Sequence, residues 1–78
     1  MDNQILHDWN TDLERQAITL AFKRLPSYRF QDVYWVRNDH LGIVLIVEFV
    51  DENEYLRFFV ARSLNAIISK LHRLASID

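Results

Sequence analysis

Residues 41–61 read LGIVLIVEFVDENEYLRFFVA, and the fold turns on how this stretch is divided. Ile43-Val44-Leu45-Ile46-Val47 is mostly β-branched, and Tyr55-Leu56-Arg57-Phe58-Phe59-Val60 is rich in aromatics. Such side chains favour strands. Asp51-Glu52-Asn53-Glu54 between them is a polar turn. A turn centred on Glu52-Asn53 sets Val50 opposite Tyr55, Phe49 opposite Leu56, Glu48 opposite Arg57 and Val47 opposite Phe58. Glu48 and Arg57 are the only charges within the two arms, and opposite charges across a strand pair are worth about 0.2–1 kcal/mol. This supports the register.

Side chains alternate between the faces of a strand. In this register Ile43, Leu45, Val47, Phe49, Leu56, Phe58 and Val60 form a wholly apolar core face. Val44, Ile46, Glu48, Val50, Tyr55, Arg57 and Phe59 form a second face with one ion pair in an apolar field. A sheet face turned only to water normally reads polar, so this second face is expected to be covered. A rival division exists. Asp51-x-x-Glu54 also matches a helix capping box, and Leu56, Val60, Leu64, Ile67, Ile68 and Leu71 are spaced as on one helical face. Residues 52–76 could then be one long helix. The aromatic and β-branched content decides for a strand as far as Ala61.

Upstream, Thr11-Asp12-Leu13-Glu14 matches a capping box and predicts a helix from Thr11 to about Leu25, where Pro26 ends it. Its apolar face is read as Leu13, Ala17, Ile18, Leu20, Ala21 and Leu25. Residues 1–10, with Ile5, Leu6 and Trp9, are an N-terminal arm or a first helical turn. Ser27–Arg37 is a strand, followed by the turn Asn38–Gly42. Its facing is open: Tyr34 and Val36 point to the core and Trp35 and Arg37 outward, or the reverse. Downstream, Arg62–Ser76 is a helix capped by Ser63, with Leu64, Ile67, Ile68, Leu71 and Leu74 buried. The chain is thus one small α+β domain over 1–78. Its order is α-β-β-β-α, a three-stranded antiparallel meander with two flanking helices.

Composition narrows the function. The net charge is −2, with no Cys, one Gly and one Pro among 78 residues. There is neither disulfide nor thiolate chemistry. The polar, acidic start Met1-Asp2-Asn3-Gln4 is unlike a secretory signal, and the longest apolar run is too short for a membrane span. A cytoplasmic protein is expected. Charge alternates in blocks: acidic over 1–14, basic over 15–37, acidic over 38–54 and basic over 55–78. Opposite blocks that neighbour one another in the fold would cancel. An exposed acidic turn at 51–54 would instead suit a basic partner.

His7, His40 and His72 have no metal-ligand spacing. No Gly-rich phosphate loop or nucleophile elbow is present. Glu48 in an apolar field has the setting of a catalytic acid, but a facing Arg57 reads as a structural pair. No catalytic residue, metal or cofactor is therefore expected. The element order resembles that of the double-stranded-RNA-binding domain. That family carries a Lys cluster at the start of its second helix. Here that place reads Ala61-Arg62-Ser63-Leu64-Asn65, with a single base, and an acidic chain binds phosphate poorly. Nucleic-acid binding through Lys23, Arg24, Arg29, Arg62, Lys70 and Arg73 is the alternative. The leading expectation is a non-catalytic protein-interaction module, an adaptor, inhibitor or regulator. It would bind a partner or a second copy of itself through Tyr34, Trp35, Val44, Ile46, Tyr55, Arg57 and Phe59. Aromatics and Arg usually dominate interface energies. The competing reading is that residues 1–9 fold over this face.

Overall fold

Four strands and two helices form in the computed structural model, which describes residues 3–77. Met1 and Asp2 of the expected arm, and the charge of Asp78, lie outside the described residues. The order is β1 (Asn3–Ile5), α1 (Asp12–Phe22), β2 (Arg29–Asn38), β3 (Gly42–Val50), β4 (Leu56–Ala61) and α2 (Leu64–Ile77). The α+β meander stands as expected, with a fourth strand added. The sheet is antiparallel in the order β1-β2-β3-β4. β1 comes from the arm: Ile5 pairs with Val36, and the Leu6 N–H donates to the Trp35 carbonyl at 2.9 Å. Three residues are too few to show a strand period in sequence.

Both helices cover the same sheet face. Ile18 and Phe22 of α1, Ile67 and Leu71 of α2, Leu25, and Val33, Leu45, Val47 and Phe49 of the sheet form one buried cluster. Phe49 is its centre, with ring centroids 5.6 Å from Phe22, 5.9 Å from Tyr28 and 5.0 Å from Phe59. Around α1 the buried row is Ile18, Phe22 and Leu25. Leu13 and Leu20, read as core, are 69% and 62% exposed. Both lie on the side of the helix turned about 150° away from Ile18 and Phe22, and Leu20 borders a groove with Ala17 and with Ile68 and His72 of α2. The α1 cap also differs. Thr11 makes no side-chain cap bond, and Asn10 Oδ1 accepts the Asp12 N–H at 2.7 Å. At α2 the expected cap is present: Ser63 Oγ accepts the Ala66 N–H at 3.2 Å, the usual satisfaction of a first-turn donor.

The β3–β4 hairpin departs from its expected register by one residue. Phe49 lies opposite Arg57, Glu48 opposite Phe58, Val47 opposite Phe59 and Ile46 opposite Val60. The turn explains the slip. The Glu54 N–H donates to the Asp51 carbonyl at 3.0 Å, and Glu54 then takes the left-handed conformation (φ 69°). The loop therefore has three residues, Glu52 to Glu54, closed by Asp51 and Tyr55, a common hairpin form. Asp51 is buried, and its carboxylate holds the loop together. It accepts the Asn53 N–H at 2.9 Å, the Tyr55 N–H at 3.0 Å and Arg57 Nη1 at 3.2 Å. The expected Glu48–Arg57 pair is thus absent. Arg57 joins Asp51, and Glu48 turns to Tyr34.

A slip of one residue exchanges the two faces of a strand. Phe59 and Ala61 pack against the core. Leu56, Phe58 and Val60, expected inside, point to the opposite face.

Substitution tests this register. Phe59→Ala is expected to cost roughly 2–3 kcal/mol, less than a fully buried Phe because the ring is half-buried, and Phe58→Ala to stay within about 0.5 kcal/mol. Thermal unfolding of both variants measures it; the opposite ranking would restore the other register.

The backbone N–H of Tyr55, with those of Asn53 and the Arg57 guanidinium, holds the Asp51 carboxyl below its ordinary 3.8, against the opposing effect of burial. A depressed carboxylate stabilises the fold above its unfolded-state value and loses that contribution as pH falls through the folded one. The Tm gap between wild type and Asp51→Asn is therefore expected to be full at pH 6 and to close as the solution is acidified below about pH 4.

Candidate functional site

The face of the sheet away from the helices carries apolar side chains that the core leaves unused. Register fixes its members. Ile5, Val36 and Val44 stand side by side at one end, and Tyr34, Ile46 and Val60 form the next row. Asp32, Glu48 and Phe58 follow, and Val50 and Leu56 close the far end. Leu56 is 52% exposed, Phe58 51%, Val60 39% and Ile5 42%. Val36 and Val44 are buried, outside the main core cluster. The result is an apolar strip along β4 that continues onto half-buried Ile46 and Val50.

Two carboxylates interrupt this field. Asp32 and Glu48 lie opposite each other on β2 and β3. The Tyr34 hydroxyl donates to the Glu48 carboxylate. Asp32 accepts Arg15 Nη2 from α1 at 3.0 Å and the Val33 N–H at 2.8 Å. Burial holds the Tyr34 hydroxyl well above its ordinary value, and the bond to Glu48 and the charges of Glu48 and Asp32 add to the effect. Tyr34, Glu48, Asp32 and Arg15 line a cleft of about 340 Å³ together with His7 and Trp9. Each of these polar side chains on the sheet already has a partner, so the cluster is a bonded seam across the face. Among the described residues no group of three His, Cys, Asp or Glu could hold a metal ion. No helix among the described residues is long and apolar enough to cross a membrane.

The expected contact residues divide between the two sides. Ile46 is on the outer face as read, and the pairing with β3 settles the open facing of Tyr34, which joins it there. Val44 points the same way but is buried. Trp35 turns to the helix side, where its ring lies 5.8 Å from that of Trp9. Tyr55, at the loop's end, is 68% exposed. Arg57 and Phe59 are on the helix side, one held by Asp51 and the other by Phe49. Leu56, Phe58 and Val60 take their places outside. The signal for this was Asp51 itself, whose short acceptor side chain favours a loop built around it. The arm pairs beside β2 and lends Ile5 to the outer face, on which Val36 and Val44 are buried while Leu56, Phe58 and Val60 stay exposed. Compared with known proteins, the chain matches no family model, no curated protein and no solved structure.

Removing the hydroxyl probes the seam. Tyr34→Phe is expected to lower stability by about 1 kcal/mol near neutrality, since Glu48 loses its donor. A phenol with a raised folded-state value stabilises fully below its unfolded value of about 10 and loses that contribution as pH rises further. Alkaline unfolding should therefore show a component in wild type that Tyr34→Phe lacks.

Proposed function

We propose that this chain is a non-catalytic, cytoplasmic interaction module that binds a protein partner through the outer face of its sheet. The observation that carries this reading is the strip Leu56, Phe58 and Val60, held in line by β4 and left without a helix over it. Scattered apolar residues on a surface are ordinary, whereas a contiguous set marks a place where another surface fits. The strip has the anatomy of a contact. An aromatic anchor stands at its centre, with apolar neighbours on both sides and a polar seam, Tyr34, Glu48 and Asp32, at its margin. The core supports the display, because Phe59 on the same strand is locked against Phe49 and keeps β4 in place. The lack of Cys suits a reducing compartment, since small secreted domains usually rely on disulfides. A foreign partner is favoured over a second copy stacked face to face, which would bring the Asp32–Glu48 pairs of two copies together.

Affinity capture from nuclease-treated native lysate tests the reading, with wild type, Phe58→Glu and the exposed control Asn65→Glu side by side. A stoichiometric protein is expected with wild type and the control, and a loss of tenfold or more with Phe58→Glu. Equal recovery by Phe58→Glu would overturn this face as the contact. Partners that vanish on nuclease treatment would turn the reading to nucleic acid.

A further inference from the structure

The two edges of the sheet are built differently. At the β2 edge, β1 covers Val36 to Asn38. Beyond it the edge is closed by side chains: the Asp32 carboxylate takes the Val33 N–H, and Arg15 Nη2 donates to the Val33 carbonyl at 3.2 Å. A register shift between Phe30 and Asp32 bends the strand there. Carboxylate, guanidinium and bulge are all devices that stop an edge from pairing.

The β4 edge is different: its one guanidinium, Arg57, is turned back to Asp51, its register with β3 runs without a shift, and among the described residues no side chain bonds its outward main-chain groups. The Asp51 N–H donates to the Tyr55 carbonyl. Bonding alternates along an antiparallel ladder, so Arg57, Phe59 and Ala61 bond β3. The N–H and C=O groups of Leu56, Phe58 and Val60 point away from β3 to the open edge. Beside that edge, on the helix side, lies a groove of about 340 Å³ lined by Phe59, Lys70, Arg73, Leu74 and Ile77. Ile68 and His72 face α1, so Lys70, Arg73 and Ile77 occupy the opposite flank of α2, over the β4 edge. Among the described residues neither Lys70 nor Arg73 forms an ion pair.

We infer that the β4 edge takes up an extended segment of a partner protein as a fifth strand, and that this segment alternates apolar and acidic side chains. Its main chain meets the free groups of Leu56, Phe58 and Val60. Its apolar residues extend the outer strip beside Phe58, and its acidic residues enter the groove under Lys70 and Arg73. Strand addition of this kind draws affinity from main-chain bonds and specificity from alternate side chains. Charge selects the occupant. A second copy pairing through its own β4 would bring Arg57 to the groove and set Lys70 and Arg73 of the two copies against each other. The inference rests on the protein-binding reading and names the chemistry of the partner.

The probe is an eight-residue peptide alternating valine and glutamate, with blocked ends, titrated into the full chain. Its counterpart alternates valine and lysine. The glutamate peptide is expected to bind at least tenfold more tightly. The double variant K70E/R73E, changed only at the flank of α2, should reverse that preference. Hydrogen exchange gives a second readout: with the glutamate peptide bound, the amides of Leu56, Phe58 and Val60 should slow, while those of Arg57 and Phe59 stay as they were. Equal affinity for the two peptides, no binding of either, or unchanged exchange at Leu56, Phe58 and Val60 would overturn the inference. Partner capture separates the two proposals. Capture lost with Phe58→Glu but kept with K70E/R73E sinks the edge and leaves the outer face standing; the converse sinks the outer face.

Discussion

The buried carboxylate of Asp51 governs the hairpin on which the molecule depends. It accepts two loop N–H groups and the Arg57 guanidinium, and in doing so it stabilises a three-residue loop that puts Glu54 in the left-handed region. A non-glycine residue there costs roughly 1 kcal/mol or more, which the Asp51 network offsets. One residue in the loop is one step in the register. That step carries Phe59 inward to Phe49 and Phe58 outward to solvent. The core and the candidate site therefore share one cause, and neither can be altered at the loop without the other.

The described residues form two layers, helices on sheet. Two helices are enough to cover one face of a four-stranded sheet, and the single cluster around Phe49 shows them doing so. An antiparallel sheet tolerates an open second face, and this chain fills that face with Leu56, Phe58, Val60, Ile46 and Tyr34 in place of the expected polar set. The edges share the asymmetry. Arg15 and Asp32 close one of them, while the other ends in Leu56, Phe58 and Val60 beside Lys70 and Arg73. An exposed apolar strand at an open edge is an aggregation hazard, and a lasting occupant of that edge would remove it.

Much of this was legible in the residues. Leu45, Val47 and Phe49 read inward from their alternation, and Ile67 and Leu71 from their helical spacing, because burial on those elements is one-sided. Ser63 was recognisable as a cap because its hydroxyl needs only its own first turn. Long-range choices were not legible. Thr11 and Asn10 are both good caps, and geometry at the chain's entry picked Asn10. Leu13 and Leu20 widen the apolar arc of α1 in sequence, but α1 turns the row of Ile18 and Phe22 to the sheet and leaves them on the far side. β1 has too few residues to signal itself and exists because β2 offers an edge. Of the expected contact residues, Ile46 followed from the alternation of β3, while the facing of Tyr34 was open until the pairing of β2 with β3 set it outward. Phe59 and Arg57 were misplaced with the rest of β4.

By itself, the sequence determined the α+β class, the order of the helices and long strands, the inner face of β3 and the buried stripe of α2. These are local properties, set by propensity and by periods of two and 3.6 residues, and each can be read within its own segment. Only the tertiary structure decided which face of β4 looks inward, that both helices share one side, that the arm becomes a strand, and which edge stays open. Those outcomes depend on how separate segments meet. A strand such as β4, apolar on both faces, reads the same in either orientation until the hydrogen bonds of Asp51 choose one.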